Sequence, residues 1–122
     1  MENTTPEIDQ ILPLTPAVFH ILLALADQER HGYGIMQEVA AMTDNQVQMG
    51  PGTLYGTIKR MLAAQLIEES DERPDPDMDD ERRRYYRLTD WGQQVLAAET
   101  ERLSNLVQVA QTKKALGAMG AS

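Results

Sequence analysis

A chain of 122 residues with 42% hydrophobic and 25% charged side chains fits one compact domain, and at this size a partner subunit covering further apolar area adds stability. It contains no cysteine, which excludes a disulfide framework and any thiolate metal site and agrees with a reducing cytoplasm. The net charge of -8 speaks against a phosphate-bearing partner until it is mapped: residues 67–82 hold nine acids and two bases, whereas residues 83–122 hold six bases and three acids.

A basic surface therefore survives if the acidic segment points away from it. Residues 1–8 lack a basic n-region, and the longest apolar run, residues 17–26, is broken by His20 and too short to span a bilayer. The expected location is the cytoplasm, with no membrane partner. Thr15 followed by Pro16 predicts an N-cap and a proline at the first helical position, opening a helix over residues 16–27. That helix is apolar on nearly every face, so it needs cover all round: one side from its own domain, another from a second subunit or the terminal helix.

Residues 27–34 form a polar break with Gly32 and Gly34, after which Ile35, Met36, Val39, Ala40 and Met42 recur at helical spacing. Asp44, Asn45, Gly50, Pro51 and Gly52 make residues 43–52 a turn or loop. From Thr53 to Ala64 a third helix follows, with Leu54, Ile58, Met61 and Leu62 on one arc. Thr53, Gly56, Thr57, Lys59 and Arg60 are assigned to the opposite arc, which is basic and free of acids, with Tyr55 at the boundary. Leu66 and Ile67 lead into a short strand towards Ser70. Residues 71–81, rich in Pro and Asp and without apolar period, predict a solvated loop, and residues 83–88, with Tyr85, Tyr86 and Leu88, a second short strand. Thr89 is the next N-cap. Trp91, Val95, Leu96, Leu103, Leu106, Val107 and Ala110 then mark one long helix to about residue 116, before a frayed tail over residues 117–122.

The fold class is thus mostly α with a small β-hairpin, a winged helix-turn-helix over residues 1–88 with a long dimerisation helix over residues 89–116. In such a fold the third helix enters the major groove and the hairpin touches the backbone. Three motifs sharpen this. His31-Gly32-Tyr33-Gly34-Ile35, Gly52-Thr53-Leu54-Tyr55-Gly56 and the run from Arg83 through Arg84, Tyr85, Tyr86, Arg87, Leu88, Thr89, Asp90 and Trp91 to Gly92 resemble, in order, three motifs of the PadR family of transcriptional regulators. The resemblance covers roughly residues 15–100 and is closest to the family's short-tailed branch.

What the resemblance implies is a cytoplasmic repressor that binds an inverted-repeat DNA operator as a homodimer and is released by a small-molecule effector. It assigns Tyr33, Thr53, Tyr55, Thr57, Lys59 and the arginines near Arg83 to DNA contacts; we add Arg60 and Arg84 from the helix face and the wing. Val18, Leu22, Leu96, Leu103, Leu106, Val107 and Ala110 are the expected dimer interface. Where some drug-responsive members place a cavity-lining tryptophan this chain has Leu103, and its single tryptophan, Trp91, lies at the helix start.

Other chemistries find less support. His31 is expected as a cap or turn residue, and neither histidine supports catalysis. Asp75, Asp77 and Asp79 match the first part of a calcium loop, but Pro74 and Pro76 oppose its fold, so no metal or other cofactor is expected. No nucleophile stands beside a general base, and no enzyme is expected. The competing reading is a winged-helix module that binds a partner protein and not DNA; Lys59, Arg60 and the three arginines after the acidic segment weigh against it.

Overall fold

The structure, a computed structural model, describes residues 7–75 and 78–120, with backbone alone for residues 72–75, 78–82 and 118–120. A short helix α1 (Ile8–Ile11) precedes α2 (Pro16–Ala24). Thr15 caps α2 as its sequence predicts, its Oγ1 accepting from Val18 N at 3.3 Å with Pro16 in the first turn. The helix ends three residues sooner than residues 16–27 suggest, because Arg30 closes it: its Nε donates to the Ala24 carbonyl at 2.8 Å, and its guanidinium also meets Asp27 and Glu38.

Ile21, Leu22 and Ala24 have no solvent exposure, and α3 (Gly32–Met42), α4 (Pro51–Ala63) and α5 (Asp90–Gly120) of the same chain all pack against α2. This corrects the assignment of Leu22 to a dimer interface, since its own domain already encloses it; Val18 is partly buried against the same core. His31 caps α3, its Nδ1 accepting from Gly34 N at 2.9 Å. The turn after α3 runs through Asp44 and Asn45 at φ 51° and 63°, a left-handed conformation that these two residue types tolerate. Pro51 then starts α4 two residues before Thr53.

The sheet is larger than the sequence suggests. β1 (Arg30–His31), too short to carry a pattern, pairs with β3 (Met78–Leu88), and β3 pairs with β2 (Ile67–Asp75), giving the order β1-β3-β2. The solvated loop expected over residues 71–81 is therefore corrected to strand up to Asp75 and from Met78. The residues of this ribbon show no apolar alternation, the register sets Glu68 opposite Arg87 and Glu72 opposite Arg84, and Pro74 lies on the edge strand, where a missing donor is tolerated. The tail also needs correction, because α5 continues to Gly120, leaving only residues 121–122 outside the described part. Among the described residues no helix is long and apolar enough to cross a membrane.

The amino-terminal segment is held to α5 by one buried carboxylate. Glu99 accepts from Leu14 N at 3.0 Å and from Arg102 Nε and Nη2 at 2.6 and 3.0 Å. The hydrogen bond from Arg102 pulls its carboxyl below the usual range, against the opposing effect of burial, with the Leu14 amide helping. A depressed folded-state value means a stabilising contribution present above the unfolded value of about 4.3 and lost as pH falls through the folded value. Glu99→Gln should therefore melt below the wild type at pH 7, with the gap narrowing through about pH 4 and below. Melting curves showing a constant gap from neutral to acid would contradict this account of the clip.

Candidate nucleic-acid interface

Helix α4 is fixed by Leu54, Thr57, Ile58 and Met61, all buried, at i, i+3, i+4 and i+7. The placing of Thr57 on the exposed arc is thus corrected. Its hydroxyl donates to the Thr53 carbonyl at 2.7 Å and accepts from Arg60 Nη2 at 3.2 Å, so it reaches outwards only through Arg60. The signal was in the spacing: Thr57 stands three residues after Leu54 and four before Met61, which completes the inner arc.

Thr53, Tyr55, Lys59 and Arg60 are exposed on the outer side of α4. Tyr55 and Lys59, four residues apart, share one edge of that face, and Thr53 and Arg60, seven apart, share the other. No acid occurs within α4.

A second group gathers beside Tyr55 from three elements. Tyr33 stands in the first turn of α3 and is 49% exposed, Tyr55 is 47% exposed, and Arg83 and Arg84 come from β3. The Arg83 guanidinium carbon lies 5.8 Å from the centre of the Tyr33 ring, a cation–π distance. His31, Gly32, Tyr55, Arg83, Arg84 and Tyr86 line a cavity of about 330 Å³. Arg84 Nη1 stands 3.8 Å from Glu69 Oε2 and stays largely in solvent. Burial raises the Tyr86 phenol above its ordinary value, with Glu69 adding to the effect, so its hydroxyl stays protonated at neutral pH.

Sequence reasoning missed the residue that lets Tyr55 reach this cavity. The Tyr55 ring lies over the Gly32 Cα, where a Cβ would come within 2.6 Å of Tyr55 Cζ and still nearer its Oη. The Gly-Tyr pair was visible, but a contact between residues 23 positions apart carries no local pattern.

The expected dimer stripe on α5 divides in two. Leu96 packs on the core of its own chain and Leu103 is half-buried. Leu106 and Val107 are 52% and 55% exposed, Ala110 is exposed, and every residue from 104 to 117 faces solvent. Val109 and Leu116 extend this uncovered apolar surface.

Helices α2, α3 and the donor-bearing α4, followed by the hairpin β2–β3, define a winged helix-turn-helix protein. The profile of the transcriptional regulator PadR-like family matches residues 21–98, and the chain belongs to that family. It is 33% identical over 79 residues to uncharacterized protein X of Lysinibacillus sphaericus, covering 63% of this chain and 68% of that one. It is 33% identical over 86 residues to an uncharacterized 37.1 kDa protein in a transposon of Streptomyces fradiae, 70% of this chain but 22% of that protein's length. In fold it is similar to a PadR family transcription regulator from Clostridium difficile, with a TM-score of 0.67 and 22% identity over 80% of this chain and 97% of that one.

The inward placement of Thr57 makes it a stability residue. Thr57→Ala should lower the unfolding free energy by roughly 1–2 kcal/mol, through lost packing and the lost hydroxyl bonds. Urea denaturation reads this directly, and a variant as stable as the wild type would return Thr57 to the outer face.

Proposed function

We propose that the chain is a DNA-binding transcriptional regulator that grips an inverted-repeat operator as a homodimer. The observation that carries this reading is α4 itself: four buried residues anchor it, its outer face carries donors and no acid, and the tyrosine–arginine cavity adjoins it. Lys59 and Arg60 serve phosphates, Arg83 and Arg84 hold the DNA backbone from the wing, and Tyr33, Thr53 and Tyr55 supply the contacts that orient or read bases. Thr57 supports this by steadying Arg60.

The DNA-binding unit comprises the residues to 88 together with the first turns of α5, where Val95 and Glu99 are buried. The exposed part of α5, with Leu103, Leu106, Val107 and Ala110, is the dimerising arm: a long helix with large apolar side chains in solvent needs a partner. We further read the protein as a cytoplasmic repressor released by a small molecule. A groove of about 540 Å³ where Ala26 and Leu88 meet Leu96, Ala97 and Thr100 of α5 is of a size to admit one. The net charge of -8 favours the alternative, a module for a protein partner, and the salt dependence of DNA binding separates the two.

Lys59→Ala and Arg60→Ala should each weaken binding across DNA sequences and reduce the slope of log affinity against log salt by about one unit. Tyr55→Ala should instead cost on the order of 1–3 kcal/mol on the native upstream DNA and less on random duplex. Fluorescence anisotropy titrations at several salt concentrations measure both. If all three variants bind that DNA like the wild type, the winged fold serves another partner.

Assembly has its own test. The wild type should sediment at twice the chain mass at tens of micromolar, roughly the range in which a stable dimer is complete. Leu106→Asp should run as a folded monomer with weakened operator binding, because both half-sites must be held together. A monomeric wild type rules the dimer out.

A further inference from the structure

The end of α4 and the start of α5 are joined backbone to backbone. Helix α4 ends at Ala63 with Ala64 as its C-cap, and Gln65 turns left-handed at φ 61°. Gln65 N donates to the Leu62 carbonyl and Leu66 N to the Met61 carbonyl, both at 3.0 Å, the pair of bonds that closes a Schellman turn. The next two carbonyls turn away from α4 and are met by the root of α5. Thr89 Oγ1 donates to the Gln65 carbonyl at 2.6 Å, and Thr89 N donates to the Leu66 carbonyl at 3.1 Å. The same hydroxyl caps α5 by accepting from Gly92 N at 2.9 Å.

Gly92 seals the joint. It is buried, and a Cβ there would fall 2.9 Å from the Leu66 carbonyl carbon and deep inside the contact distance of its oxygen. The obstacle is backbone held by the α4 turn, so no side-chain rotation relieves it. Any larger residue must move α5 against α4.

We infer that Gly92 and Thr89 are positioning residues that fix the angle between the reading helix and the dimerising arm, and thereby the half-site spacing the protein accepts; this rests on the DNA-binding dimer proposed above. The geometry is that of a lever. Val95, fully buried, is the first core anchor of α5 beyond Gly92, roughly 4.5 Å along the axis, and the exposed Val107 lies roughly 18 Å beyond that anchor at 1.5 Å per residue. A root displacement of about 1 Å therefore moves the stripe near Val107 by roughly 4 Å relative to α4. Successive bases along a strand are about 3.4 Å apart, so the change is on the scale of one base pair in each half of the dimer.

The experiment uses the full chain, whose lack of cysteine makes Ala63→Cys a unique spin-label position on the exposed end of α4. Pulsed electron resonance on the labelled dimer reports the separation of the two reading helices, and selection from a randomised duplex library reports half-site sequence and spacing. The expected result for Gly92→Ala is an unchanged dimer mass and half-site, a label separation altered by roughly 4 Å or more, and a preferred spacing changed by at least about one base pair. Thr89→Val keeps the glycine and deletes the hydroxyl bonds, so it should broaden the label separation and the accepted spacings without a backbone clash, and Thr89→Ser should restore both. If Gly92→Ala does not fold, the Thr89 pair decides the question alone. A dimer with the same label distance and spacing in every variant overturns the positioning role and leaves the DNA-binding reading standing. A wild type that gives no inter-label distance or selects no DNA overturns that reading, and the spacing role with it.

Discussion

The burial of α2 sets where α3, α4 and α5 lie. Its apolar residues face every direction, and α3, α4 and α5 of the same chain cover most of it, leaving Ile21, Leu22 and Ala24 without solvent contact while Leu23 stays 39% exposed. Because the three helices share one post, the inner arc of α4, the start of α3 and the first turns of α5 are placed relative to each other before the wing adds anything. Arg30 secures the arrangement by capping α2 while its own backbone starts the sheet. Ile21, Leu22 and Ala24 are thus enclosed by one chain alone, and the far half of α5 is exposed.

Local chemistry made much of this legible in the sequence. Thr15 with Pro16, His31 and Thr89 are caps that announce themselves by residue type, and each makes the expected bond to the amide three residues on. The apolar arc of α4 was readable to within one residue. Thr57 escaped because composition marks threonine as polar, whereas spacing puts it inside, and a hydroxyl satisfied by its own helix can be buried at little penalty. The hairpin was legible only at its roots. Past Ser70 the two strands continue as an antiparallel ladder whose residues offer no apolar alternation to read. What the sequence could not show were contacts between distant glycines and carbonyls or rings, Gly92 on Leu66 and Gly32 on Tyr55, because a missing side chain leaves no periodicity.

The charge distribution explains how an acidic chain can offer a basic face. Acids concentrate on β2, where Glu68 takes Arg87 at 2.8 Å and Glu69 stands near Arg84. Arg87 also reaches Glu29 at 3.6 Å, so this arginine is occupied on the side of the sheet that joins α2 and β2. Lys59 and Arg60 sit on α4 with no acid in that helix. Within a Debye length of about 8 Å at physiological salt, a local surface of this sign matters more to a phosphate than the sum over the chain.

On the DNA-binding reading proposed above, the outer face of α4 needs a fixed orientation, and three sets of contacts bear on it. One side of the helix is anchored by Leu54, Ile58 and Met61, its carboxyl end by the Schellman turn tied to Thr89, and its amino-terminal half by the Tyr55 ring lying on Gly32. Three attachments at different points oppose both rotation about the helix axis and tilt, the two freedoms that would blur a donor array. Arg60, hydrogen-bonded to Thr57, is already partly ordered before any partner arrives. Ordering that is completed during folding is not charged again on binding, so on that reading a small face with few donors would still be selective.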